Sequence, residues 1–318
     1  MNFLSPQMKK PAATQAKAVV LPVACAGTAP AALAVGKGPE TILQASQVLS
    51  TYDVETNTDL NDLGLLTLPL VDCPPDPQAS VEEVFNQAVQ HYRKNRLVAA
   101  VGGSHLISEG LVRAALEQHN GLGVLHLGAH PHAQRGEAAG FDESGVMARI
   151  REKCPVSHIG IRSMTRAERN KIRLENVVFA RDICLNGLNA AADVIEYLND
   201  KVYVAIHLDV LDPACMPAVG RPEPGGLDWY TLNALIRRVS REKTIVGFDL
   251  TGVAPQAWVK RLKKVARDMC ASCAMSSTVH SRPGASMMAC SSGANSGWAR
   301  IAQSPELTSR CRHRWRIT

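Results

Sequence analysis

The sequence predicts a three-layer α/β/α fold built on a mostly parallel sheet. Short apolar runs alternate along the chain with longer amphipathic stretches, which is the pattern of β-α units. Polar residues follow several of the apolar runs directly, and doubly wound folds bind ligands beyond the carboxyl ends of their strands. With 318 residues, of which 46% are hydrophobic and 20% charged, the chain can also bury a full core.

The individual elements follow from this alternation. Apolar runs bounded by turn residues predict strands at 19–23, 97–101, 123–127, 157–161, 177–180, 202–208 and 244–250. Helical spacing with a polar face predicts helices at 80–94, 108–118, 165–175, 190–198 and 229–241. Such an order favours helices on both faces of one sheet.

The domain organisation comes from shifts in composition. We expect an N-terminal extension at 1–17, one domain at 18–264 and a C-terminal tail of low order at 265–318, which is rich in Ser, Ala, Cys and Arg without a helix or strand period. The uncharged run at 18–36 follows several lysines and is also compatible with a signal peptide. Pro22, Gly27 and Pro30 interrupt it, so a buried strand followed by a loop is the preferred interpretation.

Charge and cysteine content narrow the class of protein. Much of the basic excess behind the net charge of +6 lies after Val259, which predicts a solvated tail and no nucleic-acid partner. Nine cysteines without a repeating frame favour a reducing compartment and a cytoplasmic location. Cys270 and Cys273 form a CxxC without a second pair, and no apolar run is long enough to predict a membrane helix.

Histidines directly after predicted strands are the strongest chemical signal. His105 ends GGSH, His130 and His132 lie in GAHPH, and His207 and Asp209 lie in IHLDVLDP. Alternate residues of a strand point the same way, so each of the last two segments can present a pair of ligands to one point. Imidazoles and a carboxylate converging from several strand ends indicate a transition-metal site, whereas a single histidine at a strand end is more often structural.

Several segments, in order along the chain, resemble the arginase/agmatinase (ureohydrolase) family. VGGSH resembles the family's GGDH, VLHLGAHPHA its DAHxD segment, and VGFDLTGVAP its GFDxxEvxP segment. YVAIHLDVLDPACMPAVGRPEPGGL resembles the family's SxDxDxxDP segment and its PGGL continuation, and KGPETILQAS resembles its GPxAIRxAS. The resemblance implies an arginase-like α/β/α domain in trimers or hexamers, with two manganese ions sharing a hydroxide that releases urea from a guanidino compound.

The same resemblance assigns the metal site residue by residue. The positions that keep the family's metal ligands are His105, His130 and Asp209. His132 and His207 stand at family aspartates, and Gly128 stands at an aspartate that bridges both ions. Four histidines and one carboxylate favour one transition ion such as Zn²⁺ or Ni²⁺ over two Mn²⁺.

Other functional positions of the family are also altered. Ser104 replaces a second carboxylate, Ser144 falls where the family has a proton-handling histidine, and Gly252 replaces the glutamate that binds the guanidinium. Asp212 is retained and is a candidate substrate contact. Three hypotheses follow: an inactive homologue with a binding or regulatory role, alone or with an active paralogue; a mononuclear His-rich metalloprotein; or a residual hydrolase of agmatine-like compounds.

Overall fold

A mixed α/β chain packs around one large sheet in the computed structural model, which describes residues 1–4, 8–9, 11–28, 32–134 and 141–255. The strands are β1 Ala18–Ala24, β2 Tyr52–Asp53, β3 Thr58–Asp59, β4 Leu65–Thr67, β5 Val71–Asp72, β6 Leu97–Gly102, β7 Leu122–Leu127, β8 Val156–Ile161, β9 Val177–Phe179, β10 Lys201–His207 and β11 Thr244–Thr251. The α-helices are α1 Ala32–Gly36, α2 Gly38–Ser46, α3 Pro77–Tyr92, α4 Ile107–Leu116, α5 Val146–Arg151, α6 Arg166–Arg169, α7 Ala180–Asn186, α8 Ala192–Glu196 and α9 Trp229–Glu242.

The main sheet has nine strands in the order β4-β1-β6-β11-β10-β7-β8-β9, with β5 paired to β1 beside β4. Each pairing in it is parallel. Parallel strands need crossover connections, and helices supply most of them. The carboxyl ends of the four central strands β6, β11, β10 and β7 therefore lie side by side at one edge.

Alternating side chains of the sheet enter two hydrophobic cores, one on each face. Leu97, Ala99 and Val101 of β6 pack in the core that also holds α9, whereas Val98 and Ala100 pack in the core that holds α3 and α4. Strands buried on both faces read as continuous apolar runs, which is why they could be predicted. This arrangement is the predicted three-layer α/β/α fold.

All seven predicted strands are present, as are the helices α3, α4 and α9. The predicted helix at 165–175 is wrong beyond Arg169, because the chain leaves the helix and buries Ile172 in a small separate cluster. The predicted helix at 190–198 is only α8, because a 3-10 turn at Gly187–Ala191 takes its start. Ala180 begins α7 and does not end a strand.

The structure describes part of the predicted N-terminal extension and none of the predicted C-terminal tail. Phe3 and Leu4 are buried in the same core as β1, so the start of the chain packs on the domain. The predicted tail at 265–318, its CxxC and its basic residues lie outside the described residues. Within the described residues, no helix combines the length and the hydropathy needed to cross a membrane.

Asp249 is a buried carboxyl in the centre of β11. Its Oδ2 accepts a hydrogen bond of 2.9 Å from the Tyr203 hydroxyl, and the residue has no exposed surface. Burial raises the pKa of Asp249 to about 7, and the hydrogen bond from Tyr203 only partly opposes this. The folded state therefore holds a proton on Asp249 more strongly than the unfolded chain does.

We expect Asp249→Asn to stabilise the protein increasingly as pH rises. The folded pKa lies above the unfolded one, so the stability that the wild-type carboxyl contributes is complete below its unfolded pKa and is lost as pH rises through about 7. Relative to wild type, the free energy of unfolding of the variant should rise by a few kcal/mol between about pH 5 and pH 8. Urea denaturation at several pH values measures this, with exposed Asp72→Asn as a control; parallel pH profiles would contradict it.

Candidate metal centre

The predicted histidines and the aspartate meet at the carboxyl edge of the four central strands. His105 follows β6, His130 and His132 follow β7, His207 ends β10, and Asp209 lies in the 3-10 turn after it. Two sets have ligand atoms within 4.8 Å of one another: His105, His132 and His207, and His130, His132 and Asp209. All five predicted ligand positions thus come together, with His132 common to both sets.

Asp209 and His130 form a buried hydrogen-bonded pair. Asp209 Oδ1 accepts from the Ala129 backbone N–H at 3.0 Å, and Oδ2 lies 2.9 Å from His130 Nδ1. Burial acts to raise the pKa of Asp209, but the His130 hydrogen bond and the charges of nearby histidines lower it to about 2. His130 Nε2 lies 3.3 Å from Glu223 Oε1, so both nitrogens of this ring already have carboxylate partners.

His132 is held in an unusual backbone conformation. Its φ of 48° lies in the left-handed region, which a residue other than glycine seldom adopts. Its Nδ1 donates to the Glu143 carbonyl at 3.0 Å, and its own carbonyl accepts from Met147 N at 3.0 Å. The Nε2 lone pair of His132 then points into the site, buried and without a hydrogen-bond partner among the described residues.

His105 and His207 stack on one another with ring centroids 3.7 Å apart. His105 Nδ1 bonds Thr251 Oγ1 at 2.8 Å, and His207 Nε2 is buried without a partner in the described chain. Burial lowers the pKa of His105 to about 4 and that of His207 well below 6.5. Neutral imidazoles with free lone pairs are the state that binds transition metals.

His126 and His158 belong to the site although sequence reasoning did not single them out. His126 Nε2 lies 3.0 Å from His207 Nδ1, and His126 Nδ1 lies 3.0 Å from His158 Nδ1. His126 is two residues before Gly128, and alternate residues of a strand lie on the same face. This spacing is the sequence feature that could have identified His126 as part of the site. Its pairing with His158 depends on the register of β7 and β8, which only the structure gives.

Gly128, the altered bridging position, is closely covered by the His126 ring. A Cβ at this position would lie 2.6 Å from His126 Nε2 and 2.7 Å from its Cε1. Such distances are far below van der Waals contact, so a larger side chain requires the ring to move. The space beside the missing carboxylate is therefore filled by an imidazole.

The other altered positions also have new surroundings. Ser104 Oγ donates to the Glu143 carboxylate, which brings an acid next to a position that had lost one. Ser144 Oγ donates to Asp142 Oδ1 at 2.6 Å. Gly252 has φ of 90°, and a Cβ there would lie 3.0 Å from His105 Cε1, so a glutamate would be strained at this position.

Asp212 is placed in the loop that leads to Leu227. Its carboxylate accepts from the backbone N–H groups of Ala214 at 2.8 Å, Gly225 at 2.8 Å and Gly226 at 3.2 Å. These bonds shape the loop, and Asp212 is not among the residues that line the cavity at the metal centre. Its predicted role as a substrate contact remains a prediction.

A cavity of 540 Å³ opens on the histidine cluster. Its polar lining includes His105, His132, Asp209, Glu143 and Arg221. This is enough volume for a small ligand, and the convergent polar groups at its base are typical of a binding site.

The fold and this site define the class of protein: the chain belongs to the arginase family, whose model matches residues 16–285. It is 34% identical over 251 residues to the N(1)-aminopropylagmatine ureohydrolase of Synechocystis sp., covering 76% of this chain and 82% of that protein. It is 30% identical over 249 residues to the protein of the same name from Thermus thermophilus, covering 76% and 84%.

Solved structures show the same fold. The agmatine ureohydrolase of Thermoplasma volcanium superposes with a TM-score of 0.76 at 23% identity, covering 87% of this chain and 94% of that one. The proclavaminate amidino hydrolase of Streptomyces clavuligerus superposes with a TM-score of 0.72 at 25% identity, covering 85% and 96%.

The donor set does not fit two manganese ions. Mn²⁺ prefers oxygen ligands, and paired ions need bridging carboxylates, but Asp209 is the only carboxylate in the two clustered sets of the described chain. One ion of the imidazole-preferring metals fits better, because His132 and His207 each have a buried Nε2 without a hydrogen-bond partner among the described residues.

We expect Gly128→Ala to be destabilising. The added methyl group must displace the buried His126 ring and its hydrogen bond to His207, which should lower the free energy of unfolding by about 1–3 kcal/mol. Chemical denaturation measures the change. Gly36→Ala is the control, because its Cβ would meet its nearest atoms at 3.4 Å. Equal stability of the two variants would show that the ring next to Gly128 is not tightly held.

Proposed function

We propose that this arginase-family protein has lost, or largely lost, the two-manganese hydrolysis of guanidino compounds and acts as a binding or regulatory homologue. The observation that carries the proposal is the packing of His126 against Gly128. It supports a site in which an imidazole occupies the space that the family gives to a bridging carboxylate.

The balance of charge supports the same proposal. Burying two divalent ions requires compensating negative charge, because the desolvation cost of an unpaired buried charge is large. Asp209 supplies one negative charge, and its oxygens are already engaged by Ala129 and His130. Burial keeps His105, His132 and His207 uncharged, so they add no negative charge to the cluster.

A second candidate function is that of a mononuclear His-rich metalloprotein. His105, His132 and His207 would hold one Zn²⁺ or Ni²⁺. The Nε2 atoms of His132 and His207, which have no hydrogen-bond partner among the described residues, favour this interpretation. Bound there, such an ion would supply Lewis-acid chemistry and would lower the pKa of a coordinated water. The chain itself keeps these rings neutral, because burial lowers the pKa of each.

Partners and location belong to the proposal as well. The resemblance of the sequence to the arginase/agmatinase family is the basis for proposing a homo-oligomer, a trimer or hexamer, or a mixed oligomer with an active paralogue. A cytoplasmic location agrees with the free cysteines among the described residues. No nucleic-acid or membrane partner is proposed.

We expect no urea release above background with Mn²⁺. Agmatine and N(1)-aminopropylagmatine are the substrates to test, since the similar proteins are named for acting on such compounds. Urea is measured after incubation of the purified full chain with each substrate. Turnover with two bound manganese ions per chain would overturn the proposal and support the residual hydrolase.

The mononuclear candidate predicts about one Zn²⁺ or Ni²⁺ per chain and no tightly bound Mn²⁺. Inductively coupled plasma mass spectrometry after removal of loose ions gives the stoichiometry. His132→Ala removes a ligand and should weaken Zn²⁺ binding by at least about 100-fold, since even outer partners of a ligand are worth 10–100-fold. His119→Gln, outside the cluster, serves as the control. Failure of all three ions to bind would remove the metalloprotein candidate and leave the binding homologue.

A further inference from the structure

Three buried imidazoles form a row that ends at the metal centre. His158, His126 and His207 lie on the adjacent strands β8, β7 and β10, and each has at most 3% of its surface exposed. The two nitrogen-to-nitrogen distances within the row are both 3.0 Å. The last atom of the row, His207 Nε2, is buried without a hydrogen-bond partner in the described chain, and His207 belongs to the clustered set with His105 and His132.

The middle ring can have only one proton on its two nitrogens. His126 is fully buried, and in the described chain its two ring nitrogens are hydrogen-bonded to two further imidazoles and to no carboxylate, so the interior favours its neutral form. A neutral imidazole donates through one nitrogen and accepts through the other. His126 must therefore donate to one neighbouring ring and accept from the other.

This condition leaves two arrangements of the row. In the first, His126 Nε2–H donates to His207 Nδ1, His158 Nδ1–H donates to His126 Nδ1, and the proton of His207 is on Nε2. In the second, His207 Nδ1–H donates to His126 Nε2, His126 Nδ1–H donates to His158 Nδ1, and the proton of His158 is on Nε2. Only the second arrangement gives His207 Nε2 a lone pair for a metal ion.

We propose that His126 and His158 are positioning residues that set the tautomer of His207, so that occupation of the metal centre and the proton position on His158 are coupled. The part of this inference that concerns metal binding rests on the proposed mononuclear site. The coupling leaves the number of protons on the three rings unchanged. Between the first and the second arrangement, a proton leaves His207 Nε2, the two shared protons each cross one hydrogen bond towards His207, and a proton is taken up at His158 Nε2.

The far end of the row lies at a different part of the molecule. His158 lines a second cavity of 540 Å³ near the amino end of β8, together with the cationic side chains of Arg151 and Lys153. The site cavity is lined by none of these residues. The row therefore connects the metal centre to a basic cavity on another part of the sheet.

Loss of His158 should favour the arrangement that cannot bind metal. Without it, the metal-binding arrangement leaves a buried N–H on His126 Nδ1 unpaired, while the other arrangement leaves only a lone pair there. Unpaired buried N–H groups are the more costly of the two. A glutamine at position 158 offers both an acceptor and a donor, and so should support either arrangement.

The first test uses the metal-free full chain labelled with ¹⁵N-histidine. Long-range ¹H–¹⁵N correlation distinguishes Nδ1–H from Nε2–H rings, with assignments from single substitutions. We expect His207 and His158 to be opposite tautomers, and His158→Leu to shift His207 towards Nε2–H. Identical tautomers in wild type, or no response of His207 to His158→Leu, would overturn the coupling whether or not a metal binds.

The second test measures Zn²⁺ affinity by competition with a chromophoric chelator. We expect His158→Leu to bind Zn²⁺ about 10–100-fold more weakly than wild type, His158→Gln to lie within about threefold, and His119→Gln to be unchanged. Circular dichroism checks the fold of each variant. Equal loss in the Leu and Gln variants would overturn the coupling and indicate a packing role. If the wild-type protein binds Zn²⁺ and His158→Leu binds it equally well, only this inference is overturned. If the wild-type protein binds no Zn²⁺, the proposed metal site is overturned.

Discussion

The hydrogen bond between His126 Nε2 and His207 Nδ1 is the interaction on which the rest of the site depends. It requires the His126 ring to lie over the backbone of residue 128, and a glycine there is what makes the approach possible. It also engages His207 Nδ1 and leaves Nε2, the other nitrogen of that ring, buried without a hydrogen-bond partner in the described chain. One contact between adjacent strands thus links Gly128, which has no carboxylate, to the histidine cluster that includes His207.

The substitutions form a consistent physical pattern when they are considered together. Two histidines at family aspartate positions and a glycine at a third would leave a manganese pair without bridging oxygens. The same changes leave a cluster of neutral rings around one carboxylate, and low-dielectric surroundings favour this uncharged state of the rings. In the neighbouring loops, Ser104 donates to the Glu143 carboxylate and His132 adopts a left-handed backbone conformation.

The fold was largely predictable because its strands are buried on both faces and its long helices have one polar face. Strong periodicity of this kind locates β6, β7, β10, β11, α3 and α9 within a few residues. Short elements such as α5 and β5 carry too few residues for a period to be visible. The end of α6 at Arg169 depends on the burial of Ile172, which is a tertiary contact and has no local signal.

The sequence by itself determined the family, the order of the strands along the chain and the five residues that meet at the metal centre, because each follows a strong local pattern. The expected alternation within strands did not bring them together, since His130, His132 and Asp209 lie in turns after the strands. Only the tertiary structure decided that His126 covers Gly128 and that His158 completes the row. Those contacts depend on the register between strands that are distant in the sequence, and register is set by packing across the whole sheet.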